Sequence, residues 1–360
     1  MITLFAFVIA LGILIFFHEL GHFIVAKVNG VGVLKFSLGF GPALLKKRIG
    51  ETEYRLSLVP LGGYVKMLGE DPSKKEPEEI SHIDPRKAFS RKALKVRAMI
   101  VAAGPISNFL LAIVIYMAIA WIGIPFFSPV VGEVQENSPA ETAGLLSGDR
   151  IVSISDAPVE TWEDISILLQ QSSPGQQVEM LISRGENTFV IHVTPVTIKD
   201  SNLFGEEIER PMIGITRSDE ITTKEFGLIG GIGYGFMQTY RIVELTGVAF
   251  WKIVTGSLDV RKSLGGPILI AQVSGETFRA GMLPFFSMIA FISINLAIIN
   301  LLPIPVLDGG YILLFLIEGI TGRPVEGRPR EIAQQIGLFL LILLMLFAFY
   351  NDISRIITGE

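Results

Sequence analysis

Hydrophobic and polar positions along the chain fall into two textures. In the first, apolar residues cover every side of a long stretch. Residues 1–27, 98–127, 283–317 and 334–356 are of this kind. Each is long enough to cross about 30 Å of hydrocarbon as a helix. In the second, short apolar runs alternate with polar residues and end at Gly, Pro, Asn or Asp, as strands and turns do. Between the first two spans, Gly39-Phe40-Gly41-Pro42 and Pro60-Leu61-Gly62-Gly63 punctuate β-prone pieces such as Glu53–Val59 and Tyr64–Leu68. These read equally as hairpins dipping toward a membrane or as a solvated loop. Glu70–Pro85 reads as a charged, flexible connector, and Pro85–Arg97 as a basic amphipathic helix on a bilayer surface. Between the second and third spans, Val130–Val134 predicts a strand, Ser138 a short helix start, and Gly148-Asp149 a turn into another strand. A helix over Thr161–Gln171 and strands over Val178–Arg184 and Thr188–Thr194 follow. Ile198–Lys224 reads as polar linker. Phe226–Ile253 is apolar but carries Arg241, Glu244 and Lys252, which predicts an amphipathic helix on the outer surface.

Composition agrees with a mixed architecture. The 360 residues are 50% hydrophobic and 18% charged, too apolar for a soluble protein and too charged for a pure membrane bundle. With no Cys, disulfides and thiolate metal sites are excluded, and any metal must be held by His and carboxylate. The net charge of −5 argues against nucleic acid as a partner. The first apolar run has no Lys or Arg before it and is too long for a cleavable signal. Residues 27–97 hold about half of the chain's 30 Lys and Arg, and Arg323, Arg328 and Arg330 follow the third span. That asymmetry predicts residues 28–97 and 318–333 in the cytoplasm, with both termini and residues 128–282 outside it.

Two constellations carry chemistry. Phe16-Phe17-His18-Glu19-Leu20-Gly21-His22 sits inside the first span. On a helix, His18 and His22 share one face and can bite one metal ion, with Glu19 beside it as a general base. Ionisable groups in a span cost roughly 2.5–3.5 kcal/mol each at the centre and persist where they pair or coordinate. Two of the chain's four His lie here, which argues against a chance match. In the third span, Leu302-Pro303-Ile304-Pro305-Val306-Leu307-Asp308-Gly309-Gly310 must loosen the helix. Asp308 is the only Asp or Glu between Glu276 and Glu318. It reads as a third metal ligand or, alternatively, as a cap on the helix break. Two His and one Asp make a three-ligand zinc set with an open fourth position, one Zn2+ per chain. They meet at one depth only if the first and third spans run in the same direction, so residues 128–283 must stay on one side. Asn108 in the second span reads as helix–helix glue before catalysis, and His192 as structural.

On these residues the chain resembles the site-2 protease family, in its bacterial regulator-of-sigma-E protease branch. The carriers are HELGH in the first span, Gly104-Pro105 with Asn108 in the second, and Asn300-Leu301-Leu302-Pro303-Ile304-Pro305 through Asp308-Gly309-Gly310. Ser138-Pro139-Ala140-Glu141-Thr142-Ala143-Gly144-Leu145 with Gly148-Asp149 resembles a PDZ domain over 128–197, one module where the best-studied branch has two in tandem. The fold expected is a polytopic α-helical membrane protein of four transmembrane helices, with a membrane-associated β-hairpin region and one extracytoplasmic PDZ domain of α+β class. The resemblance implies a zinc intramembrane endopeptidase of the bacterial inner membrane. His18, His22 and Asp308 would be its ligands and Glu19 its catalytic acid/base. Asn300 and a strand containing Tyr64 and Val65 would hold unwound substrate. Substrates would be single-pass membrane proteins, such as anti-sigma factors or remnant signal peptides. Val130, Val131 and Gly132 are the candidate edge for a bound peptide, or the domain only blocks access. Two other classes remain: a membrane-anchored zincin cutting soluble or loop substrates, and a PDZ-bearing scaffold or transporter.

Overall fold

The computed structural model describes residues 1–70, 84–172, 175–202, 205–259, 265–325 and 327–358. The connector expected over Glu70–Pro85 lies almost entirely outside them. In chain order the helices are α1 (Ile2–Val28), α2 (Leu94–Ile122), α3 (Pro139–Thr142), α4 (Trp162–Gln170), α5 (Leu228–Val254), α6 (Pro267–Ala280), α7 (Met282–Leu301), α8 (Asp308–Thr321) and α9 (Arg328–Thr358). Two compact units result, one formed by residues 1–119 with 231–360, the other by 120–230.

In the first unit, α1, α2, α7 and α9 are the helices, among the described residues, long and apolar enough to cross a membrane. A stripe of small residues lets α1 approach its neighbours. Ala6, Ala10 and Gly21 are buried along one side of it, a face invisible in the sequence because every side is apolar. A Cβ on Gly21 would stand 2.2 Å from the Ala103 carbonyl oxygen, so α1 and α2 touch backbone to backbone there. Ser293 Oγ of α7 donates to the Asn108 carbonyl of α2 at 2.8 Å. Asp352 of α9 accepts from the backbone N–H groups of Gly266, Ile268 and Leu269, capping the start of α6. α6 in turn lies on α1, with Gly275 against Thr3.

The span expected over 283–317 is two helices. α7 ends at Leu301, and α8 begins at Asp308 after a six-residue break. Pro303 and Pro305 remove backbone donors there, and Val306 is held at φ +97°, a region β-branched residues avoid. The break folds onto glycines: Cβ atoms on Gly309, Gly310 and Gly337 would meet backbone oxygens of Leu302, Ile304 and Pro305 at 2.2, 2.4 and 1.8 Å.

Residues 33–67 adopt the hairpin alternative. β1 (Val33–Ile49) and β2 (Thr52–Met67) are long, bulged strands that fold back on themselves. Phe36 pairs with both Val65 and Tyr54, so the 33–38 segment is flanked on both sides by β2. The glycines in the two punctuating stretches make this possible, with φ +89° at Gly39 and +146° at Gly62. Phe36, Val65 and Met67 pack with Ile100 of α2 and Phe315 of α8. In place of a surface helix over Pro85–Arg97 there are two 3-10 turns, and α2 has already begun at Leu94.

The second span also ends earlier than expected. Gly123, at φ +117°, stops α2, and Ile124–Phe127 is a strand, β3. It pairs with β12 (Ile221–Lys224). β4 (Val131–Val134) pairs with β11 (Ile215–Arg217). A four-stranded sheet has the order β6-β5-β7-β8, from β5 (Arg150–Ile154), β6 (Ala157–Pro158), β7 (Val178–Arg184) and β8 (Asn187–Val193). Ser138 caps α3, and a Thr161–Asp164 capping box starts α4. Ile151, Ile154, Ile165, Met180, Ile182 and Ile213 fill the core. The expected linker over 198–224 is therefore mostly strand, with β9 (Val196–Ser201) and β10 (Glu207–Met212) forming a further hairpin. Its partners lie up to about a hundred residues away, beyond the reach of local pattern.

Candidate metal centre

α1 presents His18 and His22 one turn apart, and the start of α8 delivers Asp308 to them. The two Nε2 atoms are 3.4 Å apart, and Asp308 Oδ2 lies 3.3 Å from one and 3.5 Å from the other. These three are the group, among the described residues, arranged to hold a metal ion. Zinc bound to nitrogen at about 2.0–2.1 Å in a tetrahedron needs donors about 3.3–3.4 Å apart, so the triangle has zinc's dimensions. Two features of the chain reinforce the fit. Asp308 Oδ2 is buried with no hydrogen-bond partner, an arrangement that is costly unless a cation takes it. And with both Nε2 atoms unprotonated, their lone pairs and the Asp308 carboxylate, all within 3.5 Å of one another, repel unless a cation lies between them.

Outer groups orient the two rings. His22 Nδ1 lies 2.8 Å from the Ile100 carbonyl of α2 and donates to it, which frees Nε2 as a ligand atom. His18 Nδ1 lies 3.3 Å from the Asn108 side-chain amide. Asn108 Oδ1 is buried without a partner. A half-turn of that amide, whose O and N are interchangeable in assignment, lets Oδ1 accept from His18 Nδ1–H and frees the second Nε2. Asn108 is thus more than helix–helix glue, since it touches a proposed ligand. The signal that identifies it is three-dimensional, not sequential. Gly104 is equally demanded: a Cβ there would stand 2.3 Å from His22 Nε2 and 2.9 Å from His18 Cε1.

Glu19 lies outside the triangle and lines the same cavity, of about 440 Å³. A Cβ on Gly63 would come within 3.0 Å of Glu19 Cγ, so the bare backbone of β2 passes directly over it. The next residues, Tyr64 and Val65, line the cavity, with Tyr64 stacked on Phe40. Asn300, from the last turn of α7, lines it as well. Of the predicted site residues, then, His18, Glu19, His22, Asp308, Asn300, Tyr64 and Val65 come together. Tyr311, Arg97, Glu318 and Arg330, which the sequence reading did not single out for the site, share the wall.

Val130, Val131 and Gly132 are placed differently from expectation. They belong to the other unit and do not form an open edge. Val131 N–H donates to Asp149 O on one side, and Ser218 N–H donates to Val130 O on the other. A Cβ on Gly132 would stand 2.3 Å from Arg217 O. An incoming peptide has no free backbone to pair with there, because β11 already takes it. Of these two paired strands, β11 is the one with no second neighbour among the described residues. His192 sits on β8, exposed, 3.8 Å from Glu179.

Two imidazoles and a carboxylate, carried by apolar helices with a further acid beside them, form a donor set of the kind that holds zinc in metallopeptidases. The chain belongs to peptidase family M50, the site-2 protease family, whose family model matches residues 6–344. It is 31% identical to the regulator of sigma-W protease RasP of Bacillus subtilis, over 98% of this chain and 99% of that protein. It is 32% identical to the regulator of sigma-E protease RseP of Salmonella typhimurium, over 98% of each. A candidate zinc metalloprotease of Agrobacterium fabrum is 36% identical, over 98% of this chain and 95% of that protein. Among solved structures, the PDZ domain of an SdrC-like protein from Listeria monocytogenes is 21% identical, covering 26% of this chain and 90% of that one, with a TM-score of 0.22. The protein is a zinc metalloendopeptidase of the membrane.

Proposed function

We propose that the chain cleaves peptide bonds within the bilayer, with His18, His22 and Asp308 holding zinc and Glu19 as the acid/base. The observation that carries this reading is the donor triangle of 3.3, 3.4 and 3.5 Å, with Glu19 beside it and outside it. Zinc, when bound, supplies Lewis acidity that makes water a competent nucleophile near neutral pH. Glu19 takes the proton from the attacking water and returns it to the leaving nitrogen. A substrate helix hides its peptide bonds, so it must unwind to be cut. The 63–67 segment of β2 offers a strand beside the site for the freed backbone, and Asn300 an amide in the same cavity.

The substrates in this reading are single-pass membrane proteins, of the anti-sigma or remnant-signal-peptide kind, in a bacterial inner membrane. The relatives' names and the apolar helices support it. The Lys and Arg of residues 28–97 and 318–333 support a cytoplasmic side for those segments, with the PDZ-type domain and both termini opposite. In that domain the outer edge of β11, Ile215–Arg217, replaces Val130–Gly132 as the candidate strand for peptide binding. The test is Glu19→Gln in the full-length protein, reconstituted with a single-pass substrate. Zinc content should stay near one per chain while cleavage falls by at least 10²–10⁴-fold, as expected for a lost acid/base. Retained cleavage would remove Glu19 from the role.

A further inference from the structure

Peptide hydrolysis turns one neutral amide into a carboxylate and an ammonium, and neither end is at ease near hydrocarbon. The cavity that holds the metal donors has two guanidinium groups on its wall, those of Arg97 and Arg330. Arg97 is fully engaged. It is ion-paired with Glu318, its Nε donates to the Lys92 carbonyl at 3.2 Å, and it lies 5.0 Å from the Phe315 ring centroid.

Arg330 is not. It is half-buried, with its guanidinium 5.5 Å from the Tyr311 ring centroid. Among the described residues it makes no ion pair. Tyr311 lies three residues after Asp308 on α8, one helical turn from the metal donors. Its hydroxyl accepts from Gln334 Nε2 of α9 at 3.2 Å, which fixes the ring on which Arg330 rests. A guanidinium on an aromatic face keeps its N–H fork free for a second partner, and that fork matches a carboxylate in two-point geometry. The acids on the same wall do not fill this role. Glu318 is taken by Arg97; Glu70 accepts from the Met67 backbone N–H at 3.2 Å and feels the Arg330 charge through space, but the two form no ion pair.

We propose that Arg330, held on Tyr311, is a carboxylate-binding subsite that receives the newly formed C-terminal end of the cleaved chain. The proposal rests on hydrolysis at His18, His22 and Asp308. In that arrangement the new carboxylate passes along the first turn of α8, from Asp308 toward Tyr311, to reach its counter-ion.

The probe is a fluorescein-labelled apolar hexapeptide of alternating Ala and Leu, in free-acid and C-terminal amide forms. Binding is measured by anisotropy to zinc-loaded full-length protein in phosphatidylcholine nanodiscs. The wild type should bind the acid roughly tenfold tighter than the amide, the scale of one charge-assisted contact. Arg330→Gln, at equal zinc content, should bring the ratio near one, and Arg330→Lys should keep part of it. A ratio near one in the wild type, or an unchanged ratio in Arg330→Gln, overturns the subsite. Repeating the wild-type measurement in phosphatidylglycerol nanodiscs separates the two anion sources. A ratio preserved there leaves the subsite to the product. A ratio lost there assigns Arg330 to lipid phosphate and overturns the proposal. Cleavage by wild type and silence of Glu19→Gln in parallel report separately on the reading of the metal site.

Discussion

Gly104 decides how near α2 comes to the metal donors. Alanine in place of a helical glycine ordinarily stabilises by about 0.5–1 kcal/mol. Here the added carbon would stand 2.3 Å from His22 Nε2. Gly104→Ala should therefore leave helical content intact and cut zinc content well below one per chain, read by metal analysis of the purified protein. Asp308→Asn should also lower zinc occupancy, because a carboxamide replaces the charged oxygen that now has no hydrogen-bond partner. Unchanged zinc would favour a helix-capping Asp. At this scale much was legible. His18, Glu19, His22 and Asp308 are recognisable because ionisable groups are rare and costly in apolar spans. The Ile100 carbonyl, the Asn108 amide and Gly104 were not legible as parts of the site. Their roles depend on which face of α2 meets α1, and a helix apolar all round does not announce its faces.

The break between α7 and α8 is the element that carries Asp308 to the imidazoles. It rests on Gly337 of α9, where a Cβ would come within 1.8 Å of Pro305 O. Gly337→Ala should destabilise by about 1–3 kcal/mol, as overpacking does, and loosen zinc binding with it. Gly12→Ala in α1, where a Cβ would meet nothing within 4 Å, should be neutral or stabilising. Thermal melts of the two variants, side by side, check the contrast. Pro303, Pro305, Gly309 and Gly310 announced a loosened helix, but not its division into α7 and α8. Within residues 198–224, β9 and β10 form a local hairpin that the polar texture hid, whereas β11 and β12 were missed because they pair with β4 and β3, a long way back in the chain. The same pairing closed the edge expected at Val130–Gly132 and left β11 as the outer strand. Gly123 and Pro125 were present as signals that span two ends early, but the apolar run through Phe127 masked them.

Over the whole molecule, the two units answer to different physics. The 120–230 unit is a small core with one buried acid. Burial works to raise the Asp149 carboxyl, but two hydrogen bonds from Arg184 and one from the Leu146 N–H outweigh it and hold it below the usual Asp value. Its stabilising contribution is therefore complete above the ordinary Asp range and is lost as pH falls through the lowered folded value. Hydrogen-exchange protection factors across residues 144–184, taken relative to the intrinsic rate at each pH, should fall below about pH 4, and Arg184→Gln should flatten that dependence while weakening protection at pH 7. The other unit depends on apolar helices that meet at the proposed zinc site. Its four helices long and apolar enough to cross a membrane were legible from length and hydropathy, though not where two of them end, whereas the closeness of α1 to α2 depends on glycines read only in three dimensions. The central claim concerns that junction: one zinc ion caged by residues 18, 22 and 308. Zinc K-edge X-ray absorption on the metal-loaded wild type and on Asp308→Asn tests it most directly. Two imidazole nitrogens at about 2.0–2.1 Å plus oxygen donors, with the oxygen shell altered and the imidazoles kept in Asp308→Asn, is the result expected. A wild-type shell without two imidazoles, or an identical shell in both proteins, would contradict the account.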